Sequence, residues 1–152
     1  MDRLELTVLV KRLSHGQSLP LPEAATAGSA GLDLRAAIPE PETLAPRERR
    51  VVPTGLAVAI PLGWEGQVRP RSGLALSRGV TLVNSPGTID SDYRGEIKVI
   101  LINLGDRPFL IEPAMRIAQL LFFRVPAVTL REVGDLPPSD RGNGGFGSSG
   151  TE

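Results

Sequence analysis

Apolar residues in this chain occur in short runs broken by proline and glycine, not at helical spacing. Fourteen prolines and 17 glycines divide the sequence. Most pieces alternate apolar with polar residues or cluster β-branched residues, as strands do. We predict strands within residues 4–10, 31–37, 49–60, 64–70, 79–83, 96–103, 107–113, 116–125 and 127–133. Such evenly spaced strands and turns are typical of an all-β barrel, sandwich or jelly roll.

One short helix and a C-terminal arm complete the predicted layout. The stretch SGLALSR (72–78) predicts a helix with Ser72 as N-cap and Gly79 as its stop. From Pro137 onward Phe146 is the sole large apolar residue. We therefore expect the core to end near Val133, with one domain over 1–136 and an arm over 137–152.

Composition narrows the classes of function. The 17 basic and 17 acidic residues cancel, which argues against a nucleic-acid or membrane-surface binder. Without cysteine there are no disulfides or thiolate metal sites, and the single histidine, His15, reads as a solvated loop residue with no assigned function. Any metal is then expected to be a hard, oxygen-bound ion such as magnesium. No signal peptide or long apolar run is present, so we predict a soluble cytoplasmic protein.

Several polar residues interrupt the strand pattern. In GLDLRAA, Asp33 and Arg35 share the face opposite Leu34. In RIAQLLFF, Gln119 shares a face with Ile117, Leu121 and Phe123, so it needs a partner in apolar surroundings. That partner is either a protein group or a ligand. Both alternatives stay open at this point.

Two further stretches carry candidate chemistry. RPRSGLA (69–75) places two arginines before a helix start, which fits a phosphate or carboxylate cradle or simply a capped helix. NSPG (84–87) predicts a hairpin tip, followed by Asp90, Asp92, Tyr93 and Arg94. A carboxylate beside such a hairpin could deprotonate water, although the alternative is an ordinary charged turn.

Together the segments resemble a known family. In order, AGSAGLDLRAA, PRSGLA, GTIDSDYRGEIKVILIN, RIAQLL and RGNGGFGSSG resemble the five motifs of the trimeric dUTPases, over roughly residues 27–150. The resemblance implies a distorted jelly roll of the β-clip type and a homotrimer with active sites between subunits. It also implies hydrolysis of the substrate dUTP to dUMP and pyrophosphate, which keeps uracil out of DNA and supplies dUMP for thymidylate synthesis.

The resemblance assigns the reaction and phosphate contacts as follows. Asp90 corresponds to the general base that activates the attacking water. Asp33 corresponds to the carboxylate near Mg²⁺, which acts through water or by holding the site together, while the ion is held mainly by the triphosphate. Contacts to the phosphates are implied for Arg71, Ser72, Gly73 and Gln119.

Recognition of the nucleoside is implied for a second set. Asn84, Gly87, Thr88 and Ile89 would line the uracil site, largely through backbone groups. Tyr93 would stack on the sugar and exclude a 2′-hydroxyl, and Lys98 would give at most a backbone contact.

The family resemblance changes the interpretation of the closing string RGNGGFGSSG. Its five glycines alone indicate a disordered tail. In the family pattern Arg141 suits the γ-phosphate, Phe146 suits stacking on uracil, and Gly147 and Ser148 contact phosphate. The arm is then expected to close over a neighbouring subunit's site.

One departure and two rivals remain. The fifth motif usually ends Ser-Thr-Gly, whereas this chain has Ser148, Ser149 and Gly150, which keeps the hydroxyl. The related dCTP deaminases need a glutamate where Ile100 stands, and isoleucine cannot move protons. A non-catalytic nucleotide-binding trimer could dispense with Asp90 or the arm, and the presence of both favours an enzyme.

Overall fold

The structure, a computed structural model, describes residues 5–146 and residue 148. Strands and one short helix, α1 (Ser72–Arg78), make up its regular elements together with a 3-10 turn at Ser14–Gly16. The strands are β1 (Leu9–Arg12), β2 (Leu32–Arg35), β3 (Glu42–Leu44), β4 (Arg49–Ala59), β5 (Trp64–Arg69), β6 (Val80–Leu82), β7 (Gly87–Ile89), β8 (Glu96–Asn103), β9 (Phe109–Ile111) and β10 (Arg116–Arg124). The predicted all-β class is confirmed.

Two four-stranded antiparallel sheets enclose the core. One sheet has the order β1-β4-β8-β6 and the other has the order β2-β10-β5-β7, with a two-stranded β3-β9 ribbon beside them. Alternate residues of each sheet point inward and form one apolar cluster, to which Val52 and Leu101 contribute from the first sheet and Leu34 and Leu120 from the second. Among the described strands the sheets stay open and do not close into a single barrel.

Strand bounds differ from the prediction chiefly at the two ends of the chain. Within the described residues the first strand begins at Leu9, later than the prediction of a strand in 4–10, and the pattern did not predict β3 at all. Residues 127–133 have alternating polarity but form no strand, so that prediction is wrong. Val128 and Leu130 are 73% and 92% exposed, because none of the described strands covers them and alternation without a partner does not make a strand. The last strand ends at Arg124, and the apolar residues beyond it are not part of the core.

The predicted helix forms with a different N-cap, whereas β6 and β7 do not form the predicted hairpin. Gly79 ends α1 in the left-handed region at φ 67°, as predicted. The N-cap is Arg71 and not Ser72, which is the first helical residue, and the N-cap makes no side-chain capping bond. Residues 83–86 do turn, with a cis Ser85–Pro86 peptide, but β6 and β7 lie in different sheets. The hairpin prediction is wrong because β7 pairs with β5 and the turn crosses between sheets.

In the part of the chain that the structure describes, no helix is long and apolar enough to cross a membrane.

Candidate active site

A polar row crosses three strands of the second sheet. Asp33 on β2 pairs with Gln119 on β10, which pairs with Arg69 on β5. The flanking residues Leu34 and Leu120 point to the other side and are buried in the core. Because side chains alternate along strands, the row of Asp33, Gln119 and Arg69 lies together on the outer face.

The carboxylate of Asp33 is held by two guanidinium groups. Arg71 Nε lies 3.1 Å from one carboxylate oxygen, and Arg116 Nη1 lies 3.2 Å from the other. The Asp33 side chain is 21% exposed, so these partners hold it against the sheet. Arg116 was missed by the sequence analysis. Its role depends on the pairing of β10 with β2, which residue spacing alone does not reveal.

Gln119 has a protein partner. Its Nε2 donates to the carbonyl oxygen of Pro70 at 2.9 Å, which fixes the side chain beside the segment that leads into α1. Ile117 does not share its face, because an irregularity between Arg116 and Ala118 turns Ile117 into the core. Gly31 lies against Gln119, since a Cβ there would be 3.1 Å from Gln119 Cδ and still closer to its Oε1. The side chain is therefore confined by packing as well as by its hydrogen bond.

These groups surround one cavity of about 450 Å³, here called the phosphate cavity. Five residues predicted for phosphates or metal line it, namely Asp33, Arg71, Ser72, Gly73 and Gln119. Arg69 lines it too, held by two bonds to Gln67 Oε1 of 3.1 and 2.7 Å and by the Phe123 ring, 4.8 Å away. Two guanidinium groups against one carboxylate give the cavity an excess of positive charge. The arrangement suits an anion with several oxygens.

A second group of predicted residues forms the Asp90 loop, residues 90–95. Asp90 follows β7 directly, is exposed, and accepts a hydrogen bond of 3.1 Å from the Tyr93 amide through its carbonyl oxygen. Tyr93 Oη donates to the carbonyl oxygen of Glu96 at 3.0 Å. Gly95 makes room for the Tyr93 ring, since a Cβ there would lie 2.6 Å from Tyr93 Cζ. The loop is thus ordered while its carboxylate stays open to solvent.

The predicted uracil segment lies at the end of a sheet. Gly87 and Ile89 are buried and Thr88 is exposed, while β7 pairs with β5 on one side only among the strands described. Asn84 lies over Gly87, where a Cβ would be 3.0 Å from Asn84 Nδ2. One edge of β7 therefore faces away from its sheet, and such an edge presents amides and carbonyls. Lys98 is exposed on β8, with Nζ 3.9 Å from Glu96 Oε2.

The arm is separate from both groups. Arg141 Nε donates to the carbonyl oxygen of Gly144 at 2.7 Å, a local contact, and Phe146 is exposed with φ 49°. Ser148 is exposed, and Gly147 lies outside the described residues. Of the described residues, none from the Asp90 loop or the arm lines the phosphate cavity. Among the described residues of one chain, these three groups therefore do not meet.

The side chains that line the phosphate cavity suit a metal ion that enters already bound to a phosphorylated ligand. No cluster of three or more His, Cys, Asp or Glu side chains suited to a metal occurs in the described part of the chain. Asp33, the carboxylate that lines the phosphate cavity among the described residues, is already paired with Arg71 and Arg116. Magnesium bound mainly by phosphate oxygens and water requires no more than one such carboxylate.

An all-β domain with this cationic cavity has the donors and the charge that a phosphorylated ligand requires. The dUTPase family model matches residues 17–150. The chain belongs to the dUTPase family, as its five motifs predicted.

Relatives and solved structures agree with this assignment. The deoxyuridine 5'-triphosphate nucleotidohydrolase of Rhizobium meliloti (strain 1021) is 56% identical over 143 residues, covering 93% of this chain and 89% of that protein. The protein of the same name from Wolbachia pipientis subsp. Culex pipiens (strain wPip) is 54% identical over 152 residues, covering 99% of both. A Staphylococcus bacteriophage 80alpha dUTPase variant solved with dUpNHpp has a TM-score of 0.82 and 28% identity, covering 95% of this chain and 99% of that one.

Proposed function

We propose that this chain hydrolyses dUTP to dUMP and pyrophosphate. The observation that carries the proposal is the phosphate cavity, with its arginines fixed by Asp33 and Gln67, in a chain of the dUTPase family. Water attacks the α-phosphorus, the bond from that phosphorus to the bridging oxygen breaks, and pyrophosphate leaves. Asp90 accepts the proton of the water.

The phosphate cavity positions the triphosphate chain. Arg71, Ser72, Gly73 and Gln119 supply donors to phosphate oxygens, and the guanidinium of Arg71 is already oriented by Asp33. Donors that are in place before binding stabilise charge without reorganisation during the reaction. Magnesium carried by the triphosphate would withdraw charge from its oxygens, with Asp33 contacting the ion through water.

The edge of β7 recognises the base, and the Tyr93 side chain recognises the sugar. Backbone groups of Gly87, Thr88 and Ile89, with Asn84 beside them, pair with the uracil edge and leave no room for a 5-methyl group. Cytosine, with donor and acceptor exchanged, would leave buried groups unpaired, which is costly. The Tyr93 ring packs on deoxyribose, where a 2′-hydroxyl would clash. Lys98 contributes no more than a backbone contact.

The active site is assembled between subunits of a homotrimer. Ile89 pairs with Gly66, so Asp90 stands four positions along the strands from the row that contains Arg69. At about 3.3 Å per residue this separation is about 13 Å, too far for one chain's Asp90 to reach water beside a phosphate in the same chain's cavity. A neighbouring subunit's Asp90 loop supplies the base, and an arm supplies Arg141, Phe146, Gly147 and Ser148 as a lid.

Deamination and simple binding are the weaker alternatives. Ile100 on β8 has no group that moves a proton, which counts against deamination of dCTP. A non-catalytic trimer would not need the exposed Asp90 carboxylate.

A pyrophosphate-release assay with magnesium tests the proposal. We expect rapid release from dUTP and release from dCTP, dTTP and UTP lower by about a hundredfold or more, the discrimination that a close-fitting site achieves against a single altered group. No release from dUTP would overturn the enzymatic function. Equal release from all four nucleotides would overturn the assignment of β7 and Tyr93 to recognition.

A further inference from the structure

A contact far from the phosphate cavity connects the N-terminal turn to the Asp90 loop. His15, in the 3-10 turn Ser14–Gly16, has Nε2 2.6 Å from Glu96 Oε1. The same oxygen accepts a hydrogen bond of 2.8 Å from the Gly55 amide. Glu96 is 12% exposed and His15 is 41% exposed. A largely buried carboxylate therefore joins the turn, β4 and the start of β8.

The turn that carries His15 is itself firmly placed. The Leu13 amide donates to the carbonyl oxygen of Gly55 at 2.8 Å. Gly16 and Gly55 approach so closely that a Cβ on Gly16 would lie 2.6 Å from the Gly55 carbonyl oxygen. This contact falls where the register of β4 against β8 shifts, between Pro53 and Ala57. The imidazole thus approaches Glu96 from a fixed support.

Glu96 is the residue at which the Asp90 loop ends and β8 begins. Its carbonyl oxygen accepts the Tyr93 hydroxyl at 3.0 Å, and the Tyr93 amide donates to the Asp90 carbonyl oxygen at 3.1 Å. Hydrogen bonds therefore link His15 to Glu96, Glu96 to Tyr93 and Tyr93 to Asp90. Lys98, the other charged neighbour of Glu96, is 53% exposed at 3.9 Å, a weak pairing for an open side chain.

We propose that His15 is a positioning residue for the reaction: by holding Glu96, it fixes the Asp90 loop so that Tyr93 meets the sugar and Asp90 meets the water. The inference rests on the proposed dUTP hydrolysis. A hydrogen bond to a nearly buried carboxylate is among the stronger ones, and without it Glu96 retains the Gly55 amide and the distant Lys98. Loss of His15 should loosen the end of the loop and leave the phosphate cavity unchanged.

The test compares His15→Ala and His15→Gln with the wild-type chain. Glutamine keeps an amide donor that can reach Glu96, whereas alanine does not. Ser14→Ala, in the same turn, is the matched control. Each variant is assayed for kcat and KM with dUTP, for the ratio of kcat/KM between dUTP and UTP, and for hydrogen exchange at the Tyr93 amide.

The substitution His15→Ala should lower kcat about tenfold, the scale of one charge-assisted hydrogen bond. It should lower the ratio of kcat/KM for dUTP to kcat/KM for UTP by about the same factor. KM should change little, the Tyr93 amide should exchange faster, and glutamine should restore most of each value. Unchanged exchange at Tyr93 would overturn the proposal, as would a fall in melting temperature with normal kinetics. If the wild-type chain releases no pyrophosphate from dUTP but the exchange still responds to His15, the proposed function fails while the positioning of the loop stands.

Discussion

The phosphate cavity and the Asp90 loop are built in different ways. Side chains of the cavity bond to one another and to backbone across three strands, as Asp33 does to Arg71 and Arg116 and as Gln119 does to Pro70. The Asp90 loop is held by backbone groups, by the Tyr93 hydroxyl and by the Arg94 guanidinium, which donates to two carbonyl oxygens of the loop, and Asp90 itself is exposed. We infer that the sheet preorganises binding, while the base is left accessible to a neighbouring subunit. Changes to the cavity should then alter affinity, and changes to the loop should alter rate.

The largest effect is expected from Asp90→Asn. Asparagine cannot accept the proton of water, so kcat should fall by about a thousandfold, within the range for general bases. The melting temperature and the affinity for dUpNHpp should stay near wild type because Asp90 is exposed and its hydrogen bond with the described residues is through its backbone carbonyl. Asp92→Asn, two residues on, is the matched control. Near-normal kcat in Asp90→Asn would refute its role as base.

Deleting residues 141–152 should have the next largest effect. The described part of the arm makes local contacts and Phe146 is exposed, so a folded trimer should remain. Losing a phosphate contact and the lid should lower kcat/KM about a hundredfold, the scale of one or two charge-assisted hydrogen bonds. Steady-state kinetics and light scattering on the truncated chain measure both. Full activity in the truncated chain would show that residues 141–152 are a tail without a role in the reaction.

Gly31→Ala probes the cavity alone. The added methyl would displace the Gln119 amide from the Pro70 carbonyl, so KM for dUTP should rise about five- to tenfold, the scale of one hydrogen bond. The effect on kcat should be small. Gly28→Ala is the control, because a Cβ at Gly28 meets nothing within 4 Å. A fall in kcat at constant KM would show that cavity and loop are not separable.

The smallest effect concerns Glu48, which belongs to neither region. Hydrogen bonds from the Ala45 amide and then from Arg50 hold the pKa of the Glu48 carboxyl below its usual range. A carboxyl with a depressed folded-state pKa adds stability above its unfolded pKa and loses it as the pH falls through the folded pKa. Glu48→Gln should therefore lower the melting temperature slightly at pH 7, and the difference from wild type should disappear as the pH falls through the folded-state pKa of Glu48. Thermal melts against Glu40→Gln check this, with dUTP kinetics expected to be unchanged.

The sequence predicted long strands well and isolated short ones poorly. The run at 96–103 matches β8 at both ends because its alternate side chains pack in the core. The three-residue β3 has no periodic signal and exists because β9 offers it an edge. Residues 127–133 are the opposite case. Their polarity alternates clearly, but no described strand lies beside them and they form no strand.

For the site, the sequence predicted which residues take part better than it predicted which residues hold them in place. Asp33, Arg71 and Gln119 were each predicted and do meet at one cavity. The supporting roles of Arg116 and Gly31 depend on strand register and close packing, which spacing does not reveal. His15 was interpreted as solvated, yet folding brings it to Glu96, 81 residues further along. Local sequence carries no signal for such a contact.

Mixing two impaired variants tests the central claim most directly. Asp90→Asn keeps its phosphate cavity and Arg71→Ala keeps its Asp90 loop, so at dUTP concentrations well below the KM of Arg71→Ala neither homotrimer should hydrolyse dUTP efficiently. If sites are assembled between subunits, refolding the two together in equal amounts should restore roughly a quarter of wild-type pyrophosphate release, the fraction of sites with both parts intact. Activity no greater than that of the separate variants, in mixed trimers verified by native mass spectrometry, would contradict the account.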